Sequence, residues 1–470
     1  MKNTQAEDPP RIDSSSCVFG WISRFINLEK NAGSPPGKPF RLDRMEALAE
    51  AAEHPERYAP VIHVAGSKGK GTVTGMTAAI LESGGLKTAR YTSPDLGDRR
   101  QRITMGNVFF DEETYIEAGK ELIRAEEKTA PGAVNAPEFF DADGGGEGPT
   151  FFELMTLYFF LCARKARCGA MAVETGMGGR LDATNIVDPL VSVITLIERE
   201  HTEYLGNTIG EIAGEKAGII KRGKPLVLAE QSPEALEVFR EKAERMGSPL
   251  LYLPERALVK NIRVGREGTN FSVDFPGTRP VSFPGLFVPI PGEIQAYNAA
   301  LALLAAMTAF PALDTAAAAK ALGSFTLPGR FEKVRENPAV IIDGAHTARS
   351  VEQCVKTFLG LYGRGVLLFG CAEGKDAGGM AEILVPHFPY IIVTAPGTFK
   401  KSSPEKTFEA FKTAARKTGA DTEVALAQDT KRAVEQALGT GKKKGLPVLG
   451  TGSFYLAAEI RGLQPENYGP

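Results

Sequence analysis

The amino-acid sequence predicts an α/β fold built on mostly parallel sheets. Short apolar runs recur along the chain, and stretches with helical character follow them. Strands of parallel sheets are covered by helices on both faces, so they appear as continuous apolar runs rather than as alternating patterns. The runs are VIHVA (61–65), GAMAVE (169–174), LVSVITLI (190–197), AVIID (339–343), GVLLFG (365–370), YIIVTA (390–395) and PVLGTG (447–452).

The length of 470 residues predicts more than one domain, because single domains usually have about 100–200 residues. The segment GSFTLPG (323–329) interrupts the pattern, so we expect an N-terminal domain over 1–325 and a smaller one over 326–470. Within residues 250–290, β-rich segments alternate with Gly and Pro turns, and this pattern predicts an antiparallel appendage. The Ala- and Leu-rich residues 298–325 predict helices. A cleft between two domains is a common ligand site.

Charge and cysteine usage limit the class of protein. Lys and Arg number 55 against 57 Asp and Glu, and this balance disfavours a nonspecific nucleic-acid binder. The five cysteines are scattered without a C-x-x-C pair, which predicts reduced thiols. The N-terminus lacks the apolar core of a signal peptide, and no apolar run is long enough for a membrane helix. We therefore expect a cytoplasmic protein with neither a nucleic-acid nor a membrane partner.

A glycine-rich loop is the clearest chemical signal. GSKGKGT (66–72) lies between the run at 61–65 and a helical segment. Glycines allow backbone N–H groups to face phosphate oxygens, and Lys70 can neutralise their charge. Thr72 is placed to ligate Mg²⁺, although Gly71 stands before it where the strict Walker pattern has none. The strand–loop–helix context favours phosphate binding over the alternative, a turn with solvated lysines.

Two polar side chains follow predicted strands, where α/β folds bind ligands. Glu174 ends the run at 169–174, and His201 comes shortly after the run at 190–197. Both fit a metal site. The alternatives are a solvated acid and a structural histidine.

Lys216 falls on an apolar helical stripe with Ile209, Ile212 and Ile219. Burial would lower the pKa of its amine and make it nucleophilic toward carbon dioxide. A lysine can instead pack its stem and extend its amine to water. The spacing leaves both possibilities open.

These residues resemble the folylpolyglutamate synthases and dihydrofolate synthases of the Mur ligase superfamily. The resemblance extends from LDRM (42–45) to GTGSFYLAAEI (450–460). It implies a P-loop-type ATPase domain followed by a Rossmann-like domain. The segments that carry it are HVAGSKGKGT, TSPDL followed by RRQRI, TFFELMT, ETGMGGRLDATN, HTEYLG, EKAGIIK, PGRFE and DGAH.

The resemblance implies a ligase that uses ATP to add L-glutamate to a folate or dihydropteroate carboxylate through an acyl phosphate. It also implies two Mg²⁺ sites, carbamylation of Lys216 and a monomeric enzyme. Lys70, Glu174, Lys216 and His346 match catalytic positions. The implied nucleotide positions are Gly66, Gly69, Lys70, Gly71, Thr72, Asn298, Arg330 and Asp343, the metal positions are Thr72, Glu174, His201 and Lys216, and the acceptor positions are Ser93, Asp95 and Arg102.

The chain departs from the family pattern at a few positions. Asp95 replaces a histidine, Glu200 replaces an aspartate, and Thr347 and Ala348 replace an asparagine and a proline. Two other functions remain as alternatives. One is a Mur-type ligase for another acceptor, such as a UDP-linked cell-wall precursor, and the other is an ATP-binding switch without ligase activity. Considered singly, Arg330 is a linker charge, and Asp343 is a strand-end acid or a helix cap.

Overall fold

The computed structural model describes residues 12–27, 41–129, 148–419 and 421–463. Within these ranges the predicted α/β class is confirmed, and each of the apolar runs contains a strand. Residues 1–11, for which the sequence predicts no signal peptide, lie outside the described ranges. None of the described helices is long and apolar enough to cross a membrane.

The strands are β1 (Val61–Ala65), β2 (Thr88–Tyr91), β3 (Ile103–Met105), β4 (Val108–Phe109), β5 (Ala170–Glu174), β6 (Val191–Ile194), β7 (Leu226–Leu228), β8 (Leu250–Tyr252), β9 (Leu258–Gly265), β10 (Gly268–Phe275), β11 (Val281–Val288), β12 (Glu332–Glu336), β13 (Ala339–Ile342), β14 (Val366–Phe369), β15 (Tyr390–Val393), β16 (Glu423–Leu426) and β17 (Val448–Thr451). The helices are α1 (Ser15–Ile22), α2 (Leu42–Ala51), α3 (Lys70–Ser83), α4 (Glu112–Thr129), α5 (Phe151–Lys165), α6 (Thr202–Leu205), α7 (Ile209–Lys216), α8 (Pro233–Met246), α9 (Leu253–Arg256), α10 (Ile294–Ala309), α11 (Thr315–Ser324), α12 (Ala348–Tyr362), α13 (Ala377–Leu384), α14 (Pro404–Thr418), α15 (Thr430–Lys444) and α16 (Phe454–Gly462).

The largest sheet has eight strands in the order β4-β3-β2-β5-β1-β6-β7-β8. From β2 to β8 all neighbours are parallel, whereas β3 and β4 add an antiparallel edge. Every residue of β1 is buried, in agreement with a central parallel strand. The carboxyl ends of β2, β5, β1 and β6 therefore meet along one edge of the sheet, which is where α/β folds bind ligands.

The antiparallel appendage predicted for 250–290 is a three-stranded sheet of β11, β10 and β9. Phe271 and Val273 are buried in one hydrophobic cluster with Ala300 of α10. The prediction is wrong at its first residues, because β8 pairs in parallel with β7 in the largest sheet. A helix, α8, separates β7 from β8, and such a crossover returns the chain parallel to the preceding strand.

The third sheet has six strands in the order β12-β13-β17-β14-β15-β16. Its pairs are parallel except for β12 with β13, and helices α12 to α16 accompany it. The sheet begins at Glu332, a few residues after the interrupting segment at 323–329. The boundary between residues 325 and 326 stays a prediction.

Candidate active site

The glycine-rich loop connects the end of β1 to the beginning of α3. The N–H groups of Ser67 and Lys68 donate to the Leu196 carbonyl at 2.9 and 3.2 Å, which holds the loop against the chain after β6. Lys70 begins α3 and its Nζ donates to the Gly66 carbonyl at 3.0 Å. The loop thus lies at a helix N-terminus, whose N–H groups and dipole attract anions such as phosphates.

Two glycines of the loop are required by close contacts. Gly66 has φ +146°, and a β-carbon there would collide with the Thr195 side chain. Gly69 has φ +89°, and its β-carbon would lie 2.8 Å from Asn298 Oδ1. Asn298 on α10 therefore borders the loop, and its contact with a nucleotide stays a prediction.

Glu174 lies between the loop and the segment after β2. It is buried at the end of β5, and its Oε2 accepts a hydrogen bond of 3.0 Å from the N–H of Ser93. A β-carbon on Gly71 would lie 3.2 Å from the same oxygen, so Glu174 faces the first turn of α3. Burial raises the pKa of Glu174, and the positive charge of Lys70 opposes that rise.

Lys216 ends α7 with its amine inside the protein. Its side chain is 1% exposed, and Nζ donates to the Gly66 carbonyl at 2.8 Å and to Glu200 Oε1 at 3.0 Å. The interior placement is confirmed, and the alternative of an amine in water is wrong. Burial lowers the pKa of Lys216 to about 8. Burial also raises the pKa of Glu200, but Lys216, Lys70 and Lys68 outweigh it and hold that pKa well below its usual range.

His201 precedes α6 and lies beside Glu200. Burial lowers the pKa of His201 to about 3, so its imidazole is neutral near pH 7, as a metal ligand must be. Thr72 is buried on the first turn of α3. In the described parts of the chain, no three His, Cys, Asp or Glu side chains form a metal-binding group. Since Mg²⁺ commonly uses one or two carboxylates and completes its shell with water and phosphate oxygens, Thr72 and Glu174 beside the loop fit such an ion.

The expected acceptor residues lie after β2 at the same edge of the sheet. Arg102 is 2% exposed, and its Nε donates to Asp95 Oδ2 at 2.6 Å. Its guanidinium also lies 5.5 Å from the centre of the Phe151 ring. Burial raises the pKa of Asp95, but the Arg102 charge and hydrogen bond bring it below the ordinary value. Asp95 and Arg102 therefore form a hydrogen-bonded ion pair in the segment that begins with Ser93.

Arg330, Asp343 and His346 approach this edge from the six-stranded sheet. Asp343 follows β13 and accepts hydrogen bonds from the N–H groups of Phe331 and Ala345 at 2.9 and 2.8 Å. It does not cap α12, because the N-cap of that helix is Thr347. Burial lowers the pKa of Arg330, whereas Asp343 and Glu174 raise it. Arg330 therefore lies within electrostatic reach of the Glu174 carboxylate.

The sequence did not single out several charged residues of the same cleft. Lys68 Nζ lies 3.7 Å from Glu200 Oε2, and Arg349 Nε lies 3.4 Å from Glu198 Oε1. His346, which the resemblance does indicate, is half-buried in the same cleft, and its Nδ1 bonds to the Gly344 carbonyl at 2.8 Å. The position of 198–200 shortly after β6 is the signal that indicates these acids, because strand ends carry ligand-binding residues.

Comparison with known proteins assigns the chain to a family. A model of the Mur ligase middle domain matches residues 113–306, and a model of the Mur ligase glutamate ligase domain matches residues 329–454. The dihydrofolate synthase/folylpolyglutamate synthase of Bacillus subtilis is 36% identical over 330 residues, which are 69% of this chain and 72% of that protein. The chain belongs to the dihydrofolate synthase/folylpolyglutamate synthase family.

Solved structures of the family have the same fold. A structure of Mycobacterium tuberculosis folylpolyglutamate synthase complexed with ADP and AMPPCP is 28% identical, has a TM-score of 0.80, and covers 90% of this chain and 95% of its own. A complex of folylpolyglutamate synthase with AMPPCP and folate is 26% identical with a TM-score of 0.75, and covers 95% of this chain and 98% of its own. The chain is thus an ATP-dependent ligase of this family. The folate assignment is favoured over the cell-wall and switch alternatives.

Proposed function

We propose that the enzyme adds L-glutamate to the carboxylate of a folate or a dihydropteroate through an acyl phosphate. The observation that carries this proposal is the convergence at one cleft of the phosphate loop, the buried Glu174 and the Asp95–Arg102 pair. A free carboxylate is a poor electrophile, so its activation by a phosphoryl group must precede attack by an amine.

In the first step, a carboxylate oxygen of the acceptor attacks the γ-phosphorus of ATP, and the bond to the β–γ bridging oxygen breaks to release ADP. The backbone of Gly66, Gly69 and Gly71 and the Lys70 amine hold the phosphates, with Asn298 beside them. In the second step, the glutamate amine attacks the acyl carbon, phosphate leaves, and the amine loses a proton. Arg330 and His346 approach the reacting phosphate from the second domain, and the charge of Arg330 stabilises the charge that develops there. Asp343 accepts from the N–H groups of Phe331 and Ala345 and lies within electrostatic reach of Arg330, which helps to position that arginine.

Thr72, Glu174 and His201 are the residues that we assign to Mg²⁺. When bound, Mg²⁺ neutralises phosphate charge and holds the transferred group in line. A carbamate on Lys216 would supply oxygen ligands for a second ion. Its formation needs an unprotonated amine, and the pKa of about 8 makes that form accessible near neutral pH. The N–C bond forms as the amine attacks carbon dioxide and releases a proton.

Ser93, Asp95 and Arg102 are the residues that we assign to the acceptor. Their segment lies next to Glu174, so an acceptor held there places its carboxylate near the phosphate loop. We further propose that the enzyme acts as a cytoplasmic monomer. Its partners are then small molecules only.

The deciding experiment incubates the purified enzyme with ATP, Mg²⁺ and glutamate, in parallel with dihydropteroate and with tetrahydrofolate. Mass spectrometry should detect a glutamate conjugate, and ADP should form only when the acceptor and glutamate are both present. Lys70→Met should abolish the product, whereas Lys120→Met, at an exposed ion pair on α4, serves as the matched control. Steady ATP hydrolysis without any conjugate would contradict the proposal.

Carbamylation has its own test. Incubation with ¹³C-labelled bicarbonate should give a carbamate signal in the NMR spectrum of the wild-type enzyme. The signal should be absent from Lys216→Met. An equal signal in both proteins would contradict the assignment.

A further inference from the structure

Glu198 connects the second domain directly to the phosphate loop. Its backbone carbonyl accepts a hydrogen bond of 3.0 Å from the Ser67 hydroxyl in the loop. Its carboxylate Oε1 lies 3.4 Å from Arg349 Nε on α12. One residue therefore contacts both sides of the cleft.

The surroundings of Glu198 are rigid on the side of the phosphate loop. Gln231 accepts from the N–H of Ile197 at 3.1 Å and donates to the Thr195 carbonyl at 2.9 Å. The Glu198 side chain is only 9% exposed, whereas that of Arg349 is 56% exposed. Glu198, the more restricted partner of the pair, thus belongs to the first domain. Arg349, the partner with more conformational freedom, belongs to the second.

The groups that face the Glu198 carboxylate come from both domains. Burial raises the pKa of the Glu198 carboxyl above its ordinary value, and Glu200 adds to the rise, whereas Lys68, Arg349 and the Thr347 side chain oppose it. Thr347 and Arg349 belong to the N-cap and first turn of α12, immediately after His346. A contact made by this turn therefore fixes the position from which His346 approaches the loop.

We propose that Glu198 and Arg349 form an interdomain latch that positions the second domain over the phosphate loop for phosphoryl transfer. Neither residue needs to touch the nucleotide, so both are positioning residues. The proposal rests on the proposed function for its effect on turnover, but the latch itself is a property of the fold.

The kinetic test uses Glu198→Gln, Arg349→Gln and the double variant. Each change leaves the Glu198 carbonyl and its bond to Ser67 in place, so the KM for ATP should stay close to that of the wild type. We expect kcat to fall about three- to tenfold in each single variant, as for a partly exposed ion pair at an interface. The double variant should be no slower than the singles, because both remove one interaction.

Lys356→Gln is the matched control. Lys356 also lies on α12, and its pair with Glu293 joins the same two parts of the protein at 3.8 Å but is far more exposed. Its kcat should equal that of the wild type. Additive losses in the double variant, or an equal loss in Lys356→Gln, would overturn the latch.

A distance measurement separates the latch from the proposed function. Spin labels at Glu244→Cys on α8 and Glu435→Cys on α15 report the separation of the domains in a Cys17→Ser background, since the other cysteines are buried. The distance distribution should broaden in Glu198→Gln and Arg349→Gln and not in Lys356→Gln. Identical distributions in all variants would overturn the latch. Absence of product from the wild-type enzyme would count against the proposed function alone.

Discussion

Gly69 and Asn298 meet so closely that a β-carbon on the glycine would lie 2.8 Å from the amide oxygen of the asparagine. Asn298 is itself held, because its Nδ2 donates to Gln295 Oε1 at 3.1 Å on the same helix. The phosphate loop and α10 therefore touch through a contact that admits no side chain.

Gly69→Ala should weaken ATP binding. The added methyl group must displace Asn298 or the loop, and alanine is also strained at φ +89° by about 1–2 kcal/mol. We expect the Kd for ATP, measured by calorimetry, to rise at least about tenfold. Gly85→Ala is the control, because Gly85 has φ +84° and nothing within 4 Å of the new carbon. A similar rise in both variants would assign the effect to backbone strain alone.

Lys216→Ala should destabilise the enzyme as well as inactivate it. The substitution leaves the buried Glu200 carboxylate without its 3.0 Å partner, and such a loss costs on the order of 3 kcal/mol. Urea unfolding near pH 7.5 measures this change. The double variant Lys216→Met, Glu200→Gln removes both charges and should recover most of the stability but none of the activity. Recovery of activity would show that the lysine serves the fold only.

Asp95→His should change the choice of acceptor. The change removes the carboxylate that pairs with the buried Arg102, so the charge of the acceptor segment rises by about one unit. We expect the ratio of kcat/KM for dihydropteroate and tetrahydrofolate to change by more than about threefold, with the KM for ATP unaffected. Asp98→Asn alters a more exposed Asp–Arg pair in the same segment and should leave the ratio unchanged. An unchanged ratio in Asp95→His would exclude this segment from acceptor selection.

Glu126 on α4 should make stability depend on pH. Burial raises the pKa of Glu126 from 4.5 to about 7, and its buried Oε1 has no hydrogen-bond partner. The folded state thus holds the proton more tightly than the unfolded state. The contribution of protonated Glu126 to the free energy of unfolding is fully present below pH 4.5 and is lost as the pH rises through 7.

Glu126→Gln should consequently raise the free energy of unfolding by about 3 kcal/mol at pH 8.5 and have little effect at pH 4.5. Chemical denaturation at the two pH values measures the difference. Glu113→Gln, at an exposed acid on the same helix, is the control, because the charge that helps to raise the pKa of Glu126 belongs to Glu127. A gain of equal size at both pH values would show that ionisation of Glu126 is not its cause.

The sequence predicted the strands that position the site because a central parallel strand must be apolar throughout. The VIHVA run is β1, and the loop, Glu174 and Lys216 lie where their patterns indicate. Lys216 shows the limit of such patterns, since spacing left its amine equally compatible with water. Only the contacts with Gly66 and Glu200 decide the question.

Other features depend on contacts between distant parts of the chain. Glu198 and Arg349 are more than a hundred residues apart, and neither has a local pattern that indicates a partner. The sequence alone places β8 in the appendage, because its apolar residues continue directly into β-rich sequence. Its pairing with β7 follows from the intervening α8.

The strand order β2-β5-β1-β6 distributes the site across neighbouring strands. The acceptor segment follows β2, whereas the phosphate loop and the 198–201 segment follow β1 and β6, with β5 and its Glu174 between them. Mutations that alter the acceptor segment can therefore accumulate in one loop while the phosphate-handling loops stay intact. Evolution can therefore change which carboxylic acid receives the glutamate without changing the loops that activate its carboxylate.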